Sequence, residues 1–211
     1  MTVYDLIAPR GEAVMLKAQA KGRLFPLGGV LVDFFVNGEK IGTNLSGGDG
    51  YVFLEFHPGR NGVHRVSAVH REMSAQGTLL VLNRGADVVF VDVMGSMMNG
   101  PLGEPREGCR EQLEMIMRKY PVVFLSTGLA PPSMLKKWLG ENQFEEAALV
   151  SWAAGAVFAE AVQKGFRIRA VIGSPQVVES ARDYARDLYS FEDVQGAARV
   201  RKWSEIGEKM R

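Results

Sequence analysis

The apolar residues of this chain change period near residue 84, and that change limits the fold more than any other feature. From Val14 to Leu82 the period is two. Val30, Val32, Phe34 and Val36 alternate with Leu31, Asp33 and Phe35, and Asn37-Gly38 follows. Asn-Gly after an alternating run is a strong hairpin signal, because both residues accept positive φ. Return strands are expected over Glu39 to Asn44, Tyr51 to Phe56, Val63 to His70 and Ala75 to Leu82, with turns at Gly47 to Gly50 and Pro58 to Gly62. Short strands at this spacing predict a β-sandwich over residues 1–84.

From Ala86 the pattern is different. Asp87 to Asp92 and Pro121 to Leu125 are continuous apolar runs, as in strands buried on both faces, and Arg167 to Ile172 is a third strand. Helices are expected over Glu111 to Lys119, Pro132 to Leu139, Ala154 to Lys164, Gln176 to Arg186 and Val200 to Met210, with short strands at Ala148 to Ser151 and Leu188 to Phe191. Pro132 suits a helix start and Gly165 a helix end. Alternation of this kind predicts an α/β, Rossmann-like parallel sheet over residues 85–211.

Composition narrows the function classes. The chain has 211 residues, 46% hydrophobic and 23% charged, which excludes a disordered segment. Its 25 basic and 24 acidic side chains leave a formal charge of +1, too small an excess for a dedicated nucleic-acid binder. Cys109 is the single cysteine, so no disulfide closes within the chain. The apolar run Ala147 to Ala159 is too short to span a bilayer, and no basic-then-apolar leader opens the sequence, so a cytoplasmic protein is the default. His64 and His70 would lie about 20 Å apart along one strand, too far to share a metal ion.

The first half resembles bacterial immunoglobulin-like domains, through V-D-F-F-V-N-G-E-K-I-G-T from Val32 to Thr43, Asp49-Gly50-Tyr51, and Gly62 to Val69. The resemblance implies architecture and little about function. The Cys-Trp-Cys core of antibody domains is absent.

In parallel sheets, ligands bind at the carboxyl ends of the strands. Here the ends carry Asp92, followed by Val93-Met94-Gly95-Ser96, then Ser126-Thr127-Gly128, then Gly173-Ser174-Pro175. A carboxylate, hydroxyls and loop N–H groups on one rim suit an oxyanion or a phosphate, although such residues are also ordinary turn formers. Val88 to Met97 resembles the first motif of the haloacid dehalogenase-like (HAD) superfamily, and Val122 to Thr127 its second. Tyr120 to Leu139 is similar to the lipin and phosphatidylinositol-transfer-protein branch. The resemblance implies Asp92 as nucleophile and magnesium ligand, the Met94 carbonyl as a second ligand, Ser126 as the phosphoryl-holding hydroxyl and Lys164 as the neutralising cation. Ser96, Thr127, Gly128, Gly173 and Ser174 would line the phosphate.

The departures from that pattern are chemical. Met94 stands where the family has its general acid, and a positioned acid typically contributes about 10²–10⁴-fold. Gly173 to Val178 keeps the glycine of the fourth motif and neither acid, so magnesium would have one clear carboxylate. No segment is long enough for a cap domain. The expectation is therefore a capless HAD-like protein that has lost most phosphohydrolase activity and serves as a binding or structural module. The alternatives are an active phosphatase or phosphotransferase on a phospholipid or protein, with magnesium, and an α/β domain outside this family. The Met97 to Gly103 loop is read as packed on its own domain; the other reading has it touching a lipid or protein partner.

Overall fold

The computed structural model describes every residue except 23, 24, 102, 145, 146 and 211. It forms two compact units, Met1–Asn83 and Arg84–Arg211.

The first unit contains β1 (Thr2–Val3), β2 (Leu6–Pro9), β3 (Val14–Gln19), β4 (Leu31–Val36), β5 (Glu39–Leu45), β6 (Tyr51–Phe56), β7 (Gly62–His70) and β8 (Met73–Leu82). One sheet has the order β1-β3-β6 and is antiparallel. The other has the order β2-β8-β7-β4-β5 and is mixed, because β2 joins β8 in parallel. Alternation along β3 and β4 turns Leu16, Ala18, Val32 and Phe34 into a core they share with Val52, Val66 and Leu79.

The β4–β5 hairpin turns at Asn37 and Gly38, with φ of 52° and 87°. Both values are positive, which is why the two residues are of these types. The Asn37 side chain also ties the turn to β7. Its Oδ1 accepts from the Arg65 N–H at 2.9 Å, and its amide lies 2.9 Å from His64 Nδ1. Asn37→Ala keeps the strained φ and loses both bonds, so it should lower stability of this unit by about 1–2 kcal/mol, read by urea unfolding.

The second unit contains β9 (Asp87–Asp92), α1 (Cys109–Met117), β10 (Val122–Ser126), α2 (Pro132–Glu141), β11 (Ala148–Ser151), α3 (Ala156–Gln163), β12 (Arg167–Ile172), α4 (Pro175–Ser180), β13 (Ala185–Ser190), β14 (Ala198–Arg199) and α5 (Trp203–Lys209). A single π-helical turn, Val93–Met97, follows β9. The six strands have the order β11-β10-β9-β12-β13-β14, all paired in parallel. Val89, Val91 and Phe124 pack with Leu113 and Ile116 of α1, Leu135 and Trp138 of α2, and Trp203 and Ile206 of α5. Phe90 meets Phe158 of α3 edge-on, ring centres 5.4 Å apart.

The fold class expected from the sequence is corrected. Strands occupy 40% of the residues and helices 23%, so the chain is more like an all-β protein than an immunoglobulin-like sandwich followed by a HAD-like α/β domain. Apolar periodicity overstated the helices. The one expected over Gln176 to Arg186 stops at Ser180, and residues from Ala185 onward pair with β12 instead. Cross-strand pairing there outweighs the helical propensity of Ala-Arg-Asp-Leu. The helix expected from Ala154 begins at Ala156, after a 3₁₀ turn in which Ala154 has φ of 52°. Met97 and Met98 are fully buried in the core of this unit; Leu102 of the same loop lies outside the described residues. Among the described residues, no helix is long and apolar enough to cross a membrane.

Candidate site at the strand ends

β9 lies between β10 and β12, and the parallel register brings three strand ends to one edge. Asp92 pairs with Leu125, so Ser126 stands one residue further along the adjacent strand. Gly173 directly follows β12, and its N–H donates to the Tyr189 carbonyl at 3.0 Å.

Asp92 is 1% exposed, and the loops around it supply its hydrogen bonds. Its Oδ2 accepts from the Ser174 hydroxyl at 2.7 Å and from the Ser174 N–H at 3.1 Å. Its Oδ1 accepts from the Gly95 N–H at 3.1 Å, which caps the π turn in the manner of a helix N-cap. The Ser96 hydroxyl donates to the Asp92 carbonyl at 2.6 Å and reaches the Ile172 carbonyl at 3.4 Å. The Trp203 indole N–H donates to the Ser96 carbonyl at 2.9 Å and so ties α5 to the same loop.

Gly95 makes this closure possible. A β-carbon at that position would stand 2.2 Å from Asp92 Oδ2 and 2.8 Å from the Ser174 nitrogen, closer than any side chain tolerates. Gly173 is similarly confined, with Asp92 Cβ 3.0 Å from where its own would be.

The other expected site residues divide. Ser126 is buried at the same edge, and its carbonyl accepts from the Trp152 N–H at 3.0 Å. The Thr127 hydroxyl beside it is buried with no hydrogen-bond partner. Gly128 turns the chain there with φ of 86°. Met94 packs against the core of the second unit. Lys164 does not belong to the site. It follows α3 and lies three residues before the start of β12, so it stands at the amino edge of the sheet, where it donates to Glu160 at 2.6 Å. That edge holds a cleft of about 720 Å³ in which Arg167 is bidentate on Asp87 and Arg169 pairs with Asp187.

The donor set does not fit magnesium. That ion wants several oxygens in octahedral array, and the Asp92 carboxylate is buried with both oxygens already accepting hydrogen bonds. Among the described residues, no three His, Cys, Asp or Glu side chains gather to hold a metal. The histidines have separate partners: His57 lies 3.9 Å from Glu55, His64 contacts Asn37 and the Arg60 carbonyl, and His70 contacts the Leu31 carbonyl. Cys109 is fully buried; burial pushes its thiol up to about 12, with Glu111 adding and Arg106 opposing, so it is no nucleophile.

Gly95 and Trp203 were not singled out as site residues from the sequence. The Gly in Asp-Val-Met-Gly-Ser is a signal for close approach, since a glycine three residues past a strand-end acid can offer it an N–H; nothing local marks Trp203.

No family model matches the chain, and no curated protein matches it. Several solved structures are similar over part of it. They include an FMN-binding β-glucuronidase from Facaelibacterium prausnitzii (20% identity, 36% of this chain, 10% of that one, TM-score 0.27). The D0-D1 domain of intimin is another (18%, 44%, 57%, TM-score 0.33). Fibronectin(III)-like modules of Clostridium thermocellum CbhA are a third (19%, 37%, 86%, TM-score 0.26). The chain thus spans about a tenth of the first of these proteins.

Proposed function

We propose that this chain is a non-catalytic binding or structural module, and that the cluster at Asp92 is a clasp between loops. The observation that carries this reading is the state of the carboxylate. A nucleophilic Asp needs an open lone pair and a path for substrate. Asp92 is 1% exposed, and both oxygens accept hydrogen bonds from groups that belong to the fold. Among the described residues, no three His, Cys, Asp or Glu side chains gather there, and Lys164 is at the opposite edge.

The test is turnover of p-nitrophenyl phosphate, with and without magnesium, by the whole chain and by Asp92→Asn. The expected result is no turnover above the buffer blank for either protein. Magnesium-dependent turnover that Asp92→Asn abolishes, with the variant still folded, would overturn the reading and restore a phosphatase.

A further inference from the structure

The outer face of the three-stranded sheet carries a row of aromatic rings that no packing within the first unit explains. Tyr4, Tyr51 and Phe53 lie side by side, with ring centres 6.1 Å apart for Tyr4 and Tyr51 and 6.4 Å for Tyr51 and Phe53. The Tyr51 and Phe53 planes are within 27° of each other. Alternation puts Ala18 and Val52 into the core and these rings outward, and Phe53 is 43% exposed.

One cation sits in the middle of the row. The Lys17 ammonium is 4.4 Å from the Tyr51 ring centre, 4.6 Å from Tyr4 and 5.9 Å from Phe53. Among the described residues, no carboxylate pairs with it. The nearest acid along β6 is Glu55, which stands opposite Met15 and lies 3.9 Å from His57. The rim is polar and ordered. The Tyr4 hydroxyl reaches Tyr51 Oη at 3.4 Å and Gln19 Oε1 at 3.5 Å, and the Gln19 amide donates to the Asp49 carbonyl at 3.3 Å. Burial, then the bond with Tyr51, pushes the Tyr4 hydroxyl up to about 12, so it stays a donor across the neutral range.

Neighbouring rings at this spacing, Tyr4 tilted by 39° and Phe53 by 27° against Tyr51, offer successive apolar surfaces that suit the C–H faces of sugar rings along a twisted chain. The unpaired ammonium asks for an anion on the same ligand. Its contact with the half-buried tyrosine rings and the exposed Phe53 is weak enough to be exchanged for an ion pair. We infer that this sheet face binds an acidic polysaccharide, a chain of uronic acid residues whose pyranose rings stack on Tyr4, Tyr51 and Phe53 while a carboxylate meets Lys17. The inference stands apart from the strand-end clasp, since every residue it uses belongs to the first unit.

The experiment is native gel electrophoresis of the whole chain through gels containing sodium polygalacturonate, neutral xylan or sodium polyglutamate. Retardation is expected with polygalacturonate alone. Phe53→Ala and Lys17→Gln should each weaken it about tenfold, and Lys17→Arg should retain it, all with unchanged circular dichroism. Equal retardation by polyglutamate would reduce the effect to charge, and equal retardation by xylan would remove the role of Lys17. Either result overturns the proposal, as does the absence of retardation by polygalacturonate, or retardation that Phe53→Ala leaves intact.

Discussion

Gly95→Ala is expected to destabilise the second unit by about 3 kcal/mol or more, the range of a severe overpacking lesion. The added methyl would stand 2.2 Å from the Asp92 carboxylate and 2.8 Å from a backbone nitrogen, so no side-chain rotation alone relieves it. Either the π turn moves off β9, or Asp92 swings away from Ser174 and gives up its bonds. The readout is selective. All three tryptophans, Trp138, Trp152 and Trp203, lie beyond residue 84, so their fluorescence during urea unfolding follows the second unit alone. The transition should move to markedly lower urea. An unchanged midpoint would show that the loop does not close on Asp92.

Removing the acceptor should cost nearly as much. In Asp92→Ala, the Gly95 N–H, the Ser174 N–H and the Ser174 hydroxyl lose their shared partner inside a buried site, at about 1–3 kcal/mol for each donor left unsatisfied. Water entering the space returns part of that, so a net loss of about 3 kcal/mol is expected by tryptophan-monitored urea unfolding. Asp92→Asn should fall between the two proteins, because its amide oxygen still accepts while its NH₂ opposes another donor. A catalytic carboxylate held under strain gives the opposite order, since its replacement would leave the fold as stable or more so. The sign of the change therefore separates a clasp from an active-site acid.

The sequence shows parts of this molecule plainly. Asn37-Gly38 between alternating runs can only be a tight turn, and both residues take positive φ. The Asp at the end of Val88 to Val91 is visible as a buried strand's last residue. What that Asp does is not visible, because its partners come from residue 95 and residue 174, and the second lies 82 positions away. Lys164 has the residue type the resemblance asks for, at a helix end beside Gly165 and with no other Lys since Lys137. Only the direction of α3 puts it at the wrong edge, and direction follows from sheet order. The class of the fold is obscured in the sequence for a related reason. Periodicity measures which faces are buried, and Ala181 to Leu188 buries its apolar side equally well as a helix or as the approach to β13. The aromatic row is hidden in the sequence because Tyr4 joins Tyr51 and Phe53 only when β1 has docked beside β3.

The parallel pairing of β2 with β8 bears on how the protein is made. Leu6 to Pro9 finds its place only beside Leu79 to Leu82, and Asp5 Oδ1 accepts from the Thr78 N–H across 73 positions of chain. During synthesis Leu6 and Ile7 are made more than seventy residues before the strand segment that covers them, and until it follows they lack that cover. Closing so long a loop late makes the first unit a slow folder for its size. That interval is when a holding chaperone has most to protect.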